Sequence, residues 1–237
     1  MVIVVTGASR GIGREIAKKL AQKGNKVIAN YNKSEEQAQN LKNEDSNIDI
    51  YKADVSKRNE VKQMIEYVIN KYGKIDVLIN NAGISESKLF TDVTDEDWQK
   101  IINTNLYSAF CVTQEVVTNM IHNKQGCIIN ISSIWGLVGA SCETIYAIAK
   151  AGIDAMTKSL AKELGPSNVR VNSIAPGIID TDMNKNLSQV DIKNIVQEIP
   201  LEKIGKTLDI YKCVEWLIAD EYTTGQIISI NGGWVIT

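Results

Sequence analysis

Apolar, β-branched segments alternate along this chain with longer segments whose apolar residues recur at helical spacing. The short segments predict buried strands at Val2–Thr6, Lys26–Tyr31, Ile48–Ala53, Val77–Asn80, Cys127–Ser132, Arg170–Ile174 and Gln226–Ile230. The longer ones predict helices at Arg14–Lys23, Ser34–Lys42, Arg58–Lys71, Asp95–His122, Thr144–Leu164 and Leu208–Ala219. Such alternation is typical of a parallel sheet with helices on both faces. The sequence therefore predicts an α/β fold, a doubly wound parallel sheet of about seven strands.

Length, charge and cysteine usage narrow the class of protein. The 237 residues suit a single domain, residues 1–237, and the net charge of −2 gives no reason to expect nucleic-acid binding. Four cysteines lack a C-x-x-C pair and the only histidine is His122, so we expect neither a disulfide framework nor a metal site. No leader or membrane-spanning run is recognisable, which predicts a cytoplasmic protein that does not associate with membranes.

A glycine-rich turn, TGASRGIG, follows the first predicted strand and leads into a helical pattern. Gly7 permits a tight turn, and Gly11 and Gly13 allow close approach of backbone or phosphate because they lack a Cβ. The helix then begins with free N–H groups and the positive end of its dipole, which suits a pyrophosphate. We interpret the segment as a nucleotide-binding turn; a purely structural turn of another α/β protein is the alternative.

Tyr146 and Lys150 are spaced to lie one turn apart on the same face of a predicted helix. A nearby ammonium favours the phenolate and lowers the pKa of the phenol. A tyrosine tuned in this way can donate a proton to a developing alkoxide or take one from an alcohol. The pair predicts an acid–base site, although the spacing Y-x-x-x-K also arises by chance in helices.

Six motifs occur in an order that resembles the short-chain dehydrogenase/reductase family. They are TGASRGIG, NNAG at 80–83, Asn105, Ser133, YAIAK at 146–150 and PG at 176–177. The resemblance covers nearly the whole chain, from Val2 to Gly233, and implies a single-domain Rossmann-type fold and an oxidoreductase. Within the family, the sequence looks most like the bacterial 3-oxoacyl-[acyl-carrier-protein] reductases.

The resemblance implies a role for each of four residues at the reaction centre. Ser133 would polarise the substrate carbonyl, and Tyr146, thirteen residues later, would protonate its oxygen. Lys150 would bind the nicotinamide ribose and depress the pKa of Tyr146, and Asn105 would hold a water of a proton relay. The ordinary alternatives are a strand-end hydroxyl for Ser133 and a side chain bonded to nearby backbone for Asn105.

The expected cofactor is NADP(H) rather than NAD(H). The second predicted strand ends in ANY at 29–31, without the acid that binds a ribose 2′-hydroxyl. Arg10 offers a guanidinium to a 2′-phosphate, and Asn32 and Ser34 can add neutral hydrogen bonds; a solvated surface charge is the alternative for Arg10. The resemblance implies these cofactor contacts: Gly7, Ser9, Arg10, Gly11, Ile12, Gly13, Asn32, Asp54, Val55, Asn81, Ala82, Gly83, Tyr146, Lys150, Pro176, Gly177, Ile179 and Thr181.

The segment SSIWGLVGASCETIY, which runs to Tyr146, is expected to line the substrate pocket. Ser133, Trp135, Cys142 and Tyr146 are its candidate contacts. Trp135 can stack on a substrate or fill a gap in the core, and Cys142 is expected to be a packing residue rather than a nucleophile. The segment also resembles that of bacterial reductases that act on the 5-aminopentanone group of elongation factor P.

Three functions are therefore kept open. The first is an NADPH-dependent reductase of small or carrier-bound 3-oxoacyl ketones, with acyl carrier protein as the partner. The positive charge available to dock an acidic carrier protein is reduced. Lys124 is present, but Ser167 stands where a second basic residue is often found. The second is a reductase of elongation factor P, and the third is a non-catalytic nucleotide-sensing module, which four intact catalytic positions argue against.

Two further expectations concern residues 182–206 and assembly. The irregular stretch from Asp182 to Lys206 is expected to be a substrate lid, with a connecting helical excursion as the alternative. The resemblance implies a homotetramer that pairs the helices at 95–122 and 144–164 and the C-terminal strand. Apolar stripes on those helices could instead be satisfied within one chain.

Overall fold

A single parallel sheet of seven strands forms the centre of the computed structural model, which describes residues 1–185 and 187–237. The strands are β1 (Val2–Val5), β2 (Lys26–Tyr31), β3 (Ile48–Lys52), β4 (Val77–Asn80), β5 (Gly126–Ile131), β6 (Val169–Pro176) and β7 (Ile227–Ile230). Their order across the sheet is β3-β2-β1-β4-β5-β6-β7. The predicted α/β fold is confirmed, and strand ends differ from the prediction by one or two residues.

Helices connect the strands and cover both faces of the sheet. In the described residues they are α1 (Gly11–Gln22), α2 (Glu35–Glu44), α3 (Arg58–Tyr72), α4 (Asp95–Ile102), α5 (Ser108–Asn123), α6 (Ile134–Val138), α7 (Thr144–Leu164), α8 (Gln189–Glu198) and α9 (Thr207–Ala219). The short helix α6 falls where no helix was predicted. The predicted helix Asp95–His122 is not continuous, because a π turn at Asn103–Tyr107 separates α4 from α5.

The core consists of one apolar layer on each face of the sheet. One layer packs α1 and α9 on the strands, with Ile16, Leu20, Ile210 and Val214 fully or almost fully buried. The other packs α3 and α5, with Val61, Met64, Val112 and Val116 fully buried. Because both faces are covered, the central strands are buried throughout and read as continuous apolar runs.

The strand order reverses between β1 and β4, which opens a crevice beyond their carboxyl ends. The loop after β1 begins at Thr6, whose N–H donates to Ile79 O at 3.0 Å. The chain after β4 continues as Asn81-Ala82-Gly83 beside that loop. Ligands of doubly wound sheets bind in this crevice. Within residues 1–185 and 187–237, no helix has both the length and the hydrophobicity that a bilayer crossing requires.

Candidate active site

The glycine turn after β1 is closed against the loop after β4. Gly7 adopts a φ of 62°, and a Cβ there would lie 2.8 Å from Ala82 Cα. A Cβ on Gly13 would lie 2.6 Å from Gly7 O. Asn81 Nδ2 donates to Thr6 O at 2.9 Å and to Gly7 O at 3.1 Å. The glycines are therefore required by the packing of the turn, and the Asn81 amide is engaged in bracing it.

The first turn of α1 presents backbone donors at the crevice. Helix α1 begins at Gly11, and in the described residues no side chain caps it, because Arg10 at the N-cap makes no capping hydrogen bond. Ile12 and Gly13 continue the turn without an acidic side chain. The leading N–H groups of a helix have no intrahelical partner and attract anions. This arrangement fits a dinucleotide pyrophosphate.

The adjoining surface carries the residues expected to hold the adenosine half of the cofactor. Arg10 has a 59% exposed side chain and lies 4.0 Å from Asp182 Oδ2. Asn32, just after β2, is exposed. Burial by itself would raise the pKa of Asp54. Several interactions, of which the hydrogen bonds from Ser56 are the largest, outweigh burial, so the pKa is lowered. Asp54 and the buried Val55 follow β3 closely, so the structure brings these four residues to the same edge of the sheet as the glycine turn.

The loop after β6 supplies the remaining expected cofactor contacts. Pro176 ends β6, and a Cβ on Gly177 would lie 2.8 Å from Asn231 Cβ. Thr181 faces the glycine turn, since its Cγ2 lies 3.4 Å from where a Gly11 Cβ would stand. Ile179 is buried, 4% exposed, so it offers little free surface to a cofactor.

Ser133 lies directly beyond the carboxyl end of β5. It is the N-cap of α6, and its Oγ accepts a hydrogen bond from Trp135 N at 3.2 Å. The residue is 7% exposed. A serine hydroxyl can accept this bond and still donate its own proton. Ser133 can therefore cap a short helix and polarise a substrate oxygen at the same time.

Tyr146 and Lys150 lie on α7 as predicted, with Lys150 Nζ 5.5 Å from the centre of the Tyr146 ring. Lys150 is 4% exposed, and its Nζ donates to Ile131 O at 2.7 Å. Desolvation lowers the pKa of the Lys150 ammonium to about 8, against an opposing contribution from Asp154. The lysine is thus held at the end of β5, beside Ser133 and Tyr146.

Lys150 was expected to lower the pKa of Tyr146. With the groups of the protein alone, without a cofactor, this prediction is wrong. Burial raises the pKa of the phenol to about 12, and the carboxylate of Glu143 acts in the same direction. A hydrogen bond with Ser133 favours the phenolate but does not outweigh burial. The prediction failed because it counted the neighbouring charge and not the desolvation, which disfavours both the phenolate and the ammonium.

Asn105 lies in the π turn and is 2% exposed. Its Oδ1 accepts from Ile84 N at 2.7 Å, and its Nδ2 donates to Ile84 O at 2.8 Å. A Cβ on Gly83 would lie 2.7 Å from Asn105 Oδ1 and 3.7 Å from Lys150 Nζ. The alternative interpretation, a side chain bonded to nearby backbone, describes these contacts. Asn105 fixes the loop at Ala82–Ile84 next to Lys150.

Trp135, which is expected to line the substrate pocket, contacts a residue that sequence reasoning missed. Trp135 is half-buried and packs against Trp234 of the C-terminal segment, with ring centroids 5.1 Å apart at 70°. Trp234 Nε1 also donates to Glu198 Oε2 of α8 at 3.1 Å. No local motif marks Trp234, because only the fold brings residue 234 back to the reaction centre. Cys142 is half-exposed, with a φ of 62°, and its carbonyl accepts from Lys88 N at 2.7 Å.

The expected lid, residues 182–206, is described except for Asn186, which lies outside the described residues. It contains α8 and joins the C-terminal segment through Leu201 N, which donates to Gly232 O at 3.1 Å. The stretch is therefore helical in part and is attached to the segment that carries Trp234.

Comparisons with known proteins agree with this arrangement. Residues 1–191 match the family described as short chain dehydrogenase. The chain is 42% identical to 3-oxoacyl-[acyl-carrier-protein] reductase FabG of Thermotoga maritima, over 99% of this chain and 98% of the relative. FabG of Buchnera aphidicola is 39% identical, over 98% of this chain and 96% of the relative. FabG of Staphylococcus epidermidis is 40% identical, over 97% of both. The chain therefore belongs to the short-chain dehydrogenases, oxidoreductases that act on a CH–OH or C=O group with a nicotinamide cofactor.

Proposed function

We propose that this chain is an NADPH-dependent reductase that converts the ketone of a 3-oxoacyl group, carried on acyl carrier protein, into a secondary alcohol. The single observation that carries the proposal is the position of Ser133, Tyr146 and Lys150 around the end of β5, on the same edge of the sheet as the uncapped start of α1. The substrate class comes from the FabG relatives, which share about 40% identity over almost the whole chain.

Binding of NADPH is assigned to the groups around the crevice. The N–H groups at Gly11–Gly13 would hold the pyrophosphate, and Asp54 and Val55 lie where the adenine is expected. Lys150 would hold the nicotinamide ribose. When bound, the reduced nicotinamide supplies the hydride.

Preference for the 2′-phosphate is assigned to Arg10 and Asn32. Both side chains are exposed at the edge of the crevice, and no acid stands at 29–31 to repel the phosphate. The ion pair of Arg10 with Asp182 is long and solvated, so it costs little to break. A guanidinium released from this pair can bind a phosphate through two parallel hydrogen bonds.

Proton delivery follows from the pKa values. Because burial raises the pKa of Tyr146 to about 12, the phenol keeps its proton at neutral pH and can donate it to the carbonyl oxygen. Ser133 would hydrogen-bond the same oxygen as negative charge develops there. Lys150, when protonated, favours the phenolate left by proton donation. The carbon gains the hydride and the oxygen gains the Tyr146 proton, which solvent then replaces.

The direct experiment is an absorbance assay of NADPH oxidation with acetoacetyl-acyl carrier protein. We expect turnover that is much slower with NADH, and formation of the 3-hydroxyacyl product. Absence of turnover with any 3-oxoacyl thioester, by protein that binds NADPH, would contradict the substrate assignment.

A second candidate substrate, the 5-aminopentanone group on elongation factor P, is favoured by Glu143. This half-buried carboxylate lies three residues before Tyr146, and burial raises its pKa. Among the salt bridges of the described residues, none involves Glu143. A substrate amine could provide the missing positive charge. Turnover of ketone-bearing elongation factor P, without turnover of acetoacetyl-acyl carrier protein, would decide for this candidate.

We also propose a homotetramer and a lid at 182–206, as the family resemblance implies. Exposed apolar residues on the relevant helices support the assembly: Phe110 and Ile121 of α5 are 42% and 41% exposed, and Ile148 of α7 is 41% exposed. Sedimentation equilibrium tests the oligomer. Protection of 182–206 from hydrogen exchange on addition of NADPH and substrate tests the lid. The free thiols of all four cysteines support the expected cytoplasmic location.

A further inference from the structure

Asp154 is a buried carboxylate that the proposed mechanism does not use. It lies on α7, one turn after Lys150, and is 4% exposed. Ser173 Oγ of β6 donates to its Oδ1 at 2.9 Å. Its Oδ2 is buried and has no hydrogen-bond partner in the described part of the chain. A buried carboxylate that is only partly satisfied is costly, which makes Asp154 a candidate for a function.

Lys150 has the complementary problem. Its ammonium is buried, and in the described residues its Nζ donates one hydrogen bond, to Ile131 O. Desolvation therefore lowers the pKa of Lys150, and Asp154 is the charge that opposes this effect. The two residues are also joined through the backbone, because Ser132 Oγ donates to Lys150 O at 3.3 Å and lies beside the Asp154 carboxylate.

We propose that Asp154 is a positioning residue of the reductase, whose buried charge keeps Lys150 protonated at the working pH. The proposal rests on the reductase function proposed above. Asp154 acts through Lys150 and needs no contact with substrate or cofactor. Without its charge, the lysine beside Tyr146 would lose its proton more easily, and the phenolate formed during reduction would lose its stabilising cation.

Burial is the largest influence on the Asp154 carboxyl and raises its pKa from the ordinary value, while the hydroxyls of Ser132 and Ser173 and the charges of Lys150 and Lys158 offset part of the rise. Ser173 of β6 thus presents a neutral donor to the carboxylate, and the two lysines on the same helix as Asp154 supply positive charges. Tyr146, which is near Lys150, stays neutral over the same pH range because burial raises its pKa to about 12.

The first test measures Lys150 directly and needs no turnover. The lysine side chains of the full chain are labelled with ¹³C and ¹⁵N, and the Lys150 signal is identified by its loss in Lys150→Met. We expect a midpoint near pH 8 in the parent and a midpoint about one pH unit lower in Asp154→Asn, as loss of a nearby opposite charge predicts.

The second test is the pH profile of kcat/KM for the reduction. At pH 6 both proteins keep a protonated lysine and should agree within about twofold. At pH 8, Asp154→Asn should be about fivefold slower, because a one-unit shift leaves far fewer molecules with charged Lys150. A merely structural loss would lower activity equally at all pH values.

Two variants separate charge from packing. Asp76→Asn also converts a largely buried carboxylate into an amide, but Asp76 bonds Val2 N and Lys74 at the other end of the sheet. It should leave the Lys150 midpoint unchanged. Ser173→Ala removes one donor to Asp154, so the carboxyl takes up a proton more easily and the Lys150 midpoint should fall by a smaller amount.

An unmoved Lys150 midpoint in Asp154→Asn overturns the proposal, as does an equal shift in Asp76→Asn. If Asp154→Asn fails to fold, Ser173→Ala decides by the same measurement. If the parent reduces no ketone but the Lys150 midpoint is lower in Asp154→Asn than in the parent, the reductase assignment fails while the coupling of Asp154 and Lys150 stands.

Discussion

Trp234 packs edge to face on Trp135 with ring centroids 5.1 Å apart, although the two residues are far apart in the sequence. Trp135 follows Ser133 by two residues, and Trp234 Nε1 donates to Glu198 at the end of α8. The pair therefore links the reaction centre, the C-terminal segment and the expected lid in one set of contacts.

Trp234→Ala should weaken binding of the ketone. Loss of an aromatic pair costs about 0.5–1.5 kcal/mol, so we expect KM to rise about two- to tenfold while the NADPH dissociation constant is unchanged. Steady-state kinetics and fluorescence titration measure the two quantities. The control is Trp216→Ala, an exposed tryptophan on α9, which should change neither. Equal weakening of NADPH and ketone would show that Trp234 merely supports the fold.

Tyr146→Phe should abolish proton donation and leave the cofactor site intact. Loss of a general acid typically costs about 10²- to 10⁴-fold, so kcat should fall by that factor while NADPH binding stays within about twofold. Tyr211→Phe is the matched control, since Tyr211 on α9 is also a mostly buried tyrosine whose pKa burial raises to about 12. Undiminished turnover in Tyr146→Phe would contradict the assigned role.

The alternation of strands and helices could be predicted because the local spacing of apolar residues distinguishes short buried strands from amphipathic helices. The expectation that Ser133 and Tyr146 lie together followed from the family resemblance, whereas the order of the strands across the sheet came only from the structure. The π turn at Asn105 could not be predicted, because its residues continue the helical pattern on both sides. The raised pKa of Tyr146 was missed for a different reason: desolvation depends on how tightly α7 packs, which no spacing reveals.

Arg10→Ala should weaken NADPH far more than NADH. A charge-assisted hydrogen bond to phosphate contributes about 1.5–3 kcal/mol, which corresponds to roughly ten- to a hundredfold in the dissociation constant. Asp182→Asn removes the carboxylate that lies 4.0 Å from Arg10 and should tighten NADPH slightly. Arg14→Ala, whose guanidinium pairs with Glu44, is the control and should leave the ratio of the two affinities unchanged. Equal losses for both cofactors in Arg10→Ala would exclude a phosphate contact.

Gly13→Ala should disrupt the glycine turn. The new Cβ would lie 2.6 Å from Gly7 O and against the Asn81 amide, so the backbone must move. Overpacking of this kind typically costs about 1–3 kcal/mol of stability, and NADPH binding should be lost with the geometry of the turn. Gly165→Ala has no heavy atom within 4 Å of the new Cβ and should leave both properties nearly unchanged. Normal NADPH affinity in Gly13→Ala would show that the turn does not hold the cofactor.

The buried Lys150 should make stability rise with pH above neutrality. Its folded-state pKa is about 8 and its ordinary value is 10.5, so between these values the unfolded chain binds more protons than the folded chain. Stability then increases with pH across this window, by about 2 kcal/mol between pH 8 and pH 10 from this residue alone. Exposed lysines with raised pKa values, such as Lys71, titrate above this window and have little effect on the slope.

Urea unfolding of the parent and of Lys150→Met at pH 8, 9 and 10 measures this contribution. The methionine variant lacks the titrating group, so the difference in unfolding free energy between the two proteins should change steadily in favour of the parent as the pH rises. Lys162→Met, on the last turn of the same helix and with an exposed side chain, should show no such trend. A constant difference between the parent and Lys150→Met would mean that the lysine is not desolvated, and the charge assigned to Asp154 would then have nothing to offset.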